Sequence, residues 1–118
     1  MGFEFRNDTP IYIQIVEQVK KQIIGKKYLP NQKIPSVREF SMDFEVNPNT
    51  VVKALAELEN EGLIYTERTN GKFVTGDEKV ISAERHRTVE RLKEQFFSSM
   101  EQLGYDKDLA IKILNGEK

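Results

Sequence analysis

The chain has 118 residues, of which 38% are hydrophobic and 31% charged, with eighteen basic and nineteen acidic side chains. This size suits one domain, or one small domain with a short extension, and leaves little room for a buried catalytic cavity. The chain has no cysteine for disulfides or thiolate metal sites, no membrane-spanning apolar run and no signal-peptide pattern, so we expect a cytoplasmic protein without a membrane partner.

The first predicted helix begins at Thr9-Pro10, with Thr9 as the N-cap and Pro10 at the first helical position. Gly25 and Pro30 are expected to end it, and residues 28–35 are expected to form a loop. Its apolar face, at helical spacing, consists of Tyr12, Ile15, Val16, Val19 and Ile23.

Two further helices begin with capping patterns. Ser36 and Glu39 have the spacing of a capping box, and this second helix is expected to end near Phe44. Asn47 is the expected N-cap of a third helix, with Pro48 at its first position. The core-facing residues of the two helices are Val37, Phe40, Phe44, Val51, Ala54, Leu55 and Leu58.

A small β-hairpin is predicted directly after the third helix, which Gly62 is expected to end in the left-handed conformation. Strands at 63–67 and 73–75 are joined across Asn70-Gly71, a tight-turn signal because both residues tolerate positive φ. Three helices followed by a hairpin make a winged helix. We therefore predict a mainly α fold with a small β-hairpin.

A break in the pattern divides the chain into a winged-helix domain, residues 1–76, and a helical tail, residues 77–118. The tail is predicted to contain a long helix at about 82–103, ended by Gly104, and a short last helix capped by Asp106. Two amphipathic helices leave an apolar face exposed, and a symmetric dimer would bury it, although folding back within one chain is the alternative. The predicted dimer interface consists of Val89, Leu92, Phe96, Met100, Leu103, Leu109 and Ile113.

The second and third helices are joined by a very short connection, which is the spacing of a helix-turn-helix. The second helix of such a unit lies in the DNA major groove, with its first residues against the base edges. Opposite the buried stripe, Asn49 can pair with adenine, Thr50 can contact a base or a thymine methyl group, and Lys53 can reach phosphate or guanine. We therefore expect double-stranded DNA to be the partner.

Contacts with the DNA backbone are expected at the helix starts and at the hairpin tip. The start of the second helix, at Ser36 and Arg38, offers unpaired N–H groups and partial positive charge. The tip combines Arg68 and Lys72 with Gly71, so that it can approach phosphates or enter a minor groove. The full set of predicted DNA-binding residues is Ser36, Arg38, Asn47, Pro48, Asn49, Thr50, Lys53, Arg68, Asn70, Gly71 and Lys72.

Residues 9–75 resemble the DNA-binding domain of the GntR family of bacterial regulators. Four segments carry the resemblance in the family's order and spacing: IPSVRE at 34–39, VNPNTV at 46–51, LENEGLI at 58–64 and GKFV at 71–74. The family's arginine at the start of the second helix falls on Arg38, and its wing-tip glycine falls on Gly71. Many members carry arginines early in the third helix, where this chain has Pro48 and Val52.

The motif at residues 47–51 and the short tail resemble the YtrA-like subgroup of that family. This resemblance implies repression of its own operon, often one encoding an ABC transporter. The symmetric dimer expected from the tail would space two reading helices for a palindromic operator. The tail is too short to enclose a typical effector pocket, so any small-molecule effector stays unknown.

An enzyme is not expected, because the chain lacks a cysteine nucleophile and a glycine-rich phosphate loop, and its single histidine, His86, lies among charged residues. No cofactor or metal is expected. DNA-binding proteins are often basic, so the net charge of −1 keeps open a winged helix used for protein contacts. RNA is less favoured, because the phenylalanines that could stack on bases fall on or beside predicted apolar faces.

Overall fold

Within residues 3–117, the part of the chain that the computed structural model describes, five α-helices and one two-stranded antiparallel hairpin occur. The helices and strands are α1 (Ile11–Ile24), α2 (Val37–Phe44), α3 (Pro48–Asn60), β1 (Ile64–Glu67), β2 (Gly71–Val74), α4 (Glu78–Gln102) and α5 (Lys107–Leu114). The prediction of a mainly α fold with a small hairpin is confirmed. The outermost ends of the two predicted domains, residues 1–2 and 118, lie outside the described residues.

The start of α1 differs from the prediction. Pro10, not Thr9, is the N-cap residue, and no side chain caps this helix. The Thr9 carbonyl instead accepts a hydrogen bond from Nε2 of the buried Gln14, at 2.7 Å. Gln14 also pairs with both backbone groups of Arg6, at 2.8 and 2.9 Å. A buried amide needs such partners, so the N-terminal segment is held along α1 rather than used for capping.

The end of α1 also differs in detail. The helix ends at Ile24, but Gly25 has an ordinary φ of −79°, and the left-handed residue is Lys26, with φ of 68°. A Cβ atom at Gly25 would lie 2.8 Å from the Lys21 carbonyl oxygen. Glycine is therefore needed here for the close approach of backbone, not for a positive φ.

The capping patterns of α2 and α3 are confirmed. The Glu39 N–H donates to the Ser36 hydroxyl at 3.1 Å, and the Ser36 N–H donates to the Glu39 carboxylate at 2.8 Å. Asn47 Oδ1 accepts from the Asn49 N–H at 2.8 Å, with Pro48 in the first turn. Glu45 makes the turn between the two helices in the left-handed conformation, with φ of 58°.

The hairpin turns over three residues rather than at Asn70-Gly71. Glu67 pairs with Gly71, so residues 68–70 form the loop, and the Asn70 N–H donates to the Glu67 carbonyl at 3.1 Å. Of the two residues expected to have positive φ, Gly71 alone has it, at 102°. A three-residue loop followed by a left-handed glycine is a common alternative to the two-residue turn.

The segment before α2, expected to be a loop, pairs with the hairpin. The Ile34 N–H donates to the Lys72 carbonyl, and the Asn31 N–H donates to the Val74 carbonyl, both at 2.9 Å. Lys33 forms an antiparallel bridge with Phe73. Because β2 is paired on both sides, the hairpin is attached to the segment that leads into α2.

The core of this first unit is formed by one face each of α1, α2 and α3, together with the hairpin. The predicted apolar stripes of these helices are buried, except that Tyr12 and Val37 are half-buried. The core residues are Ile15, Val16, Val19, Ile23, Ile34, Phe40, Phe44, Val51, Ala54, Leu55, Leu58, Leu63, Ile64, Val74 and Ile81. The buried stripe of α3 fixes which of its sides faces outward.

The chain divides into two compact units within α4, the first running to Ser82 and the second beginning at Ala83. The helix begins at Glu78, before the predicted start. Asp77 caps it by accepting from the Lys79 N–H at 3.0 Å, and Ile81 in its first turn is buried in the core of the first unit.

In the second unit α4 ends at Gln102, and Gly104 follows with φ of 93°. Asp106 caps α5 by accepting from the Leu109 N–H at 2.9 Å, as predicted. None of the helices within residues 3–117 combines the length and the apolar character needed to cross a bilayer.

Candidate nucleic-acid interface

The outward side of α3 carries polar side chains at its start. Val51 on the opposite side is fully buried, which turns Asn49 and Lys53, one helical turn apart, towards solvent. Both are exposed, and Thr50 at the edge of this side is half-buried. The three residues predicted to read bases therefore share one accessible helix start.

Asn47 and Pro48 build that helix start. The Asn47 side-chain oxygen is used to cap α3, so it holds the first turn in place. Pro48 is exposed at the first helical position. Pro48 has no N–H, and the Asn49 and Thr50 N–H groups donate to the side chain and the carbonyl of Asn47. This end therefore offers a phosphate the partial positive charge of the helix dipole.

The first turn of α1 adds two residues that the sequence analysis did not assign to the interface. Ile11, Tyr12, Asn49, Thr50 and Lys53 line one shallow cavity of about 340 Å³. The Lys53 ammonium nitrogen lies 4.2 Å from the centre of the Tyr12 ring, which is a cation–π contact. Tyr12 therefore orients Lys53, although its spacing in the sequence had indicated only a core role.

The start of α2 presents one exposed cation. The Ser36 N–H and hydroxyl are both engaged with Glu39 in the capping box, whereas Arg38 is exposed. The hydrogen bonds from Ser36 hold the pKa of the Glu39 carboxyl below its usual value, so this carboxylate is charged near neutral pH. The positive charge that this helix start offers to a ligand is thus carried by Arg38.

The two cations of the hairpin tip are placed differently. Arg68 is exposed, as are Asn70 and Gly71. Lys72 instead turns back: its ammonium donates to the Thr66 hydroxyl at 2.7 Å and to Glu59 of α3 at 3.3 Å. Lys72 therefore ties the hairpin to α3, a contact that local sequence could not reveal.

The predicted residues fall into three groups in the structure. One lies at the start of α3, one at the start of α2, and one at the hairpin tip, where Lys33 also lies beside Gly71. In the part of the chain that the structure describes, no three His, Asp or Glu side chains converge on a possible metal position.

A helix-turn-helix whose outer face is polar and exposed, followed by a hairpin tied to the reading helix, defines a winged-helix DNA-binding domain of a transcription regulator. The family model described as bacterial regulatory proteins, gntR family, matches residues 11–74, more than half of the chain. The chain belongs to the GntR family.

Two curated relatives from Bacillus subtilis (strain 168) extend this result. The uncharacterized HTH-type transcriptional regulator YhcF is 32% identical over 118 residues, covering 100% of this chain and 95% of the relative. The HTH-type transcriptional repressor YtrA is 42% identical over 90 residues, covering 76% of this chain and 68% of the relative. The resemblance to the GntR family and its YtrA-like members is confirmed.

Two solved structures are similar to the chain. A GntR family transcriptional regulator from Listeria monocytogenes has a TM-score of 0.87 and 37% identity, covering 97% of this chain and 100% of that one. The DNA-binding domain of AraR in complex with operator ORX1 has a TM-score of 0.58 and 33% identity, covering 64% of this chain and 99% of that one.

These comparisons bear on several predictions. The winged-helix fold class and the role in transcription regulation by DNA binding are confirmed. The family consists of transcriptional regulators, not enzymes. A neighbour bound to operator DNA supports duplex DNA as the partner of this domain.

Proposed function

We propose that the protein is a repressor that binds a palindromic operator as a homodimer, with the start of α3 in the major groove. The observation that carries the proposal is the exposure of Asn49 and Lys53 on the side of α3 opposite a fully buried stripe. Side chains at the start of a recognition helix are the ones that reach base edges.

The proposed roles follow from hydrogen-bonding chemistry. Asn49 donates and accepts with one adenine, Thr50 contacts a neighbouring base, and Lys53 donates to phosphate or to guanine. Asn47 and Pro48 bring the first turn close to the DNA backbone, where the helix N-terminus attracts phosphate. The Tyr12 ring keeps Lys53 directed along the same side.

Backbone contacts are assigned to the two flanking groups. Ser36 and Arg38 face the phosphates from the start of α2. At the hairpin tip, Arg68 supplies the exposed cation, while Asn70 and Gly71 let the tip approach the DNA closely. Lys72, which is paired with Glu59, holds the hairpin beside α3.

The second unit is proposed to supply the dimer interface. Among residues 3–117, eight of the twelve exposed large apolar side chains follow residue 88. They include five of the seven predicted interface residues, and Leu92 and Leu103 are 54% and 70% exposed. Apolar surface of this kind is favourably buried against a second copy, which would space two reading helices about 34–36 Å apart.

The regulatory outcome is proposed from the family relationship. The relative YtrA is named a transcriptional repressor, so we assign repression to this chain. By the same relationship we propose that the operon it represses is its own and encodes an ABC transporter. The protein would act in the cytoplasm, where it meets the chromosome.

The test begins with a duplex selected by the wild-type protein from a random DNA library. Asn49→Ala and Thr50→Ala should each weaken binding to it by about 1–3 kcal/mol per lost base contact. Asn60→Ala, which removes the same group at the exposed far end of α3, is the matched control and should bind like the wild type.

Two results would contradict the proposal. One is unchanged affinity in both variants, which would remove α3 from the reading role. The other is failure to select any duplex from the library, together with the absence of salt-dependent binding to duplex DNA of any sequence. DNA binding releases counterions and so weakens as salt rises, and its absence would favour a winged helix used for protein contacts.

A further inference from the structure

An exposed apolar ridge runs along α3 beside the polar residues. Pro48, Val52 and Ala56 follow at intervals of four residues, so they form one row on the helix surface. All three are exposed, and Val52 is 51% exposed whereas its neighbour Val51 is fully buried. We refer to these three residues as the 48/52/56 ridge.

The ridge lies directly beside the row that begins with Asn49 and continues with Lys53. Pro48 immediately precedes Asn49, and Val52 immediately precedes Lys53, so the two rows share the outward side of the helix. Lys53 leans towards α1, where it contacts Tyr12, while Glu59 farther along α3 contacts the hairpin through Lys72. The ridge is therefore continuous with the proposed reading surface and is not covered by either contact.

The chemistry of the ridge restricts what it can recognise. Proline, valine and alanine side chains cannot make hydrogen bonds, so they cannot read the donors and acceptors of a base edge. The apolar group that B-DNA displays in its major groove is the C5-methyl group of thymine. If Val52 were buried against the donors and acceptors of a base edge, those groups would lose their hydrogen bonds to water, which costs free energy. A methyl group has no such bonds to lose and is a favourable neighbour.

We propose that the 48/52/56 ridge, with Val52 at its centre, recognises thymine methyl groups, so that each operator half-site carries a thymine opposite Val52. This inference rests on the proposed function, because it takes α3 to lie in the major groove. It adds a specificity-determining residue and the base that this residue selects.

The experiment replaces thymine by deoxyuridine, which removes only the methyl group and leaves base pairing intact. Each thymine of a duplex selected by the wild-type protein is replaced in turn, and affinity is measured for the wild type and for Val52→Ala. Loss of one buried methyl contact should lower wild-type affinity about fourfold per half-site, at a symmetry-related pair of positions. Val52→Ala should bind the unmodified duplex more weakly and show little further loss at that pair.

The outcomes separate this inference from the proposed function. Tight binding of the selected duplex without sensitivity to any deoxyuridine would overturn the ridge's role and leave the operator-binding proposal standing. Equal deoxyuridine sensitivity in wild type and Val52→Ala would also overturn it, because another residue would then contact the methyl group. If no duplex is selected at all, the proposed function fails as well. Because Val52 is exposed, Val52→Ala should retain the wild-type helical circular dichroism.

Discussion

Lys53 shows how the position of one residue is set by a neighbour that is distant in the sequence. Its ammonium rests over the Tyr12 ring while staying exposed, so it keeps its charge available to phosphate. Lys72, also predicted to bind DNA, is instead paired with Glu59 and Thr66. At the scale of single residues, exposure and existing partners distinguish the two lysines, whereas their residue type does not.

Lys53→Met should therefore change the salt dependence of DNA binding. A plot of log affinity against log salt has a negative slope, and losing one phosphate contact reduces its magnitude by about one. A homodimer carries two copies of Lys53, so the magnitude should decrease by about two. Lys112→Met, on the exposed surface of α5, removes the same charge and is the control. Titrations at several salt concentrations give the slopes. Identical slopes for Lys53→Met and wild type would remove Lys53 from the phosphate contacts.

At the scale of helices and strands, local capping chemistry fixes where α2, α3 and α5 begin. In each, a side-chain oxygen at the N-cap accepts from a backbone N–H of the first turn, as the sequence predicted. Pairing between distant segments was not predictable in this way. Residues 31–34 have no strand pattern of their own, and their pairing with β2 depends on the hairpin being present. The first turn of α4 combines both kinds of cause: Asp77 caps it locally by accepting from the Lys79 N–H, and Ile81 is buried against distant segments.

The tail helices give a second prediction at this scale. Leu92→Asp places a charge in the exposed apolar stripe of α4, where dimer formation would bury it at high cost, so the variant should be monomeric. Ser98→Asp adds the same charge to an exposed position on the other side of that helix and should leave the dimer intact. Sedimentation measures both. A dimer of undiminished stability in Leu92→Asp would show that this stripe does not form the interface.

At the scale of the whole molecule, the order of elements was readable from the sequence because each element carries its own periodicity and caps. The predicted reading residues Asn49, Thr50 and Lys53 lie together for the same reason: they occupy one helix start. The roles of Tyr12 and Glu59 could not be predicted, because both depend on how α1 and the hairpin pack against α3. The net charge of the whole chain is balanced, yet Arg38, Lys53 and Arg68 are exposed cations at the three predicted contact regions.

Disulfide crosslinking tests directly whether the start of α3 enters the major groove. The chain has no cysteine, so Asn49→Cys provides a single thiol, and the selected duplex can carry a thiol tether on a major-groove or a minor-groove base edge. We predict efficient crosslinking of Asn49→Cys to the major-groove tether, and little crosslinking to the minor-groove tether or in the Asn60→Cys control. Preference for the minor-groove tether, or crosslinking no better than that of Asn60→Cys, would show that the start of α3 does not enter the major groove.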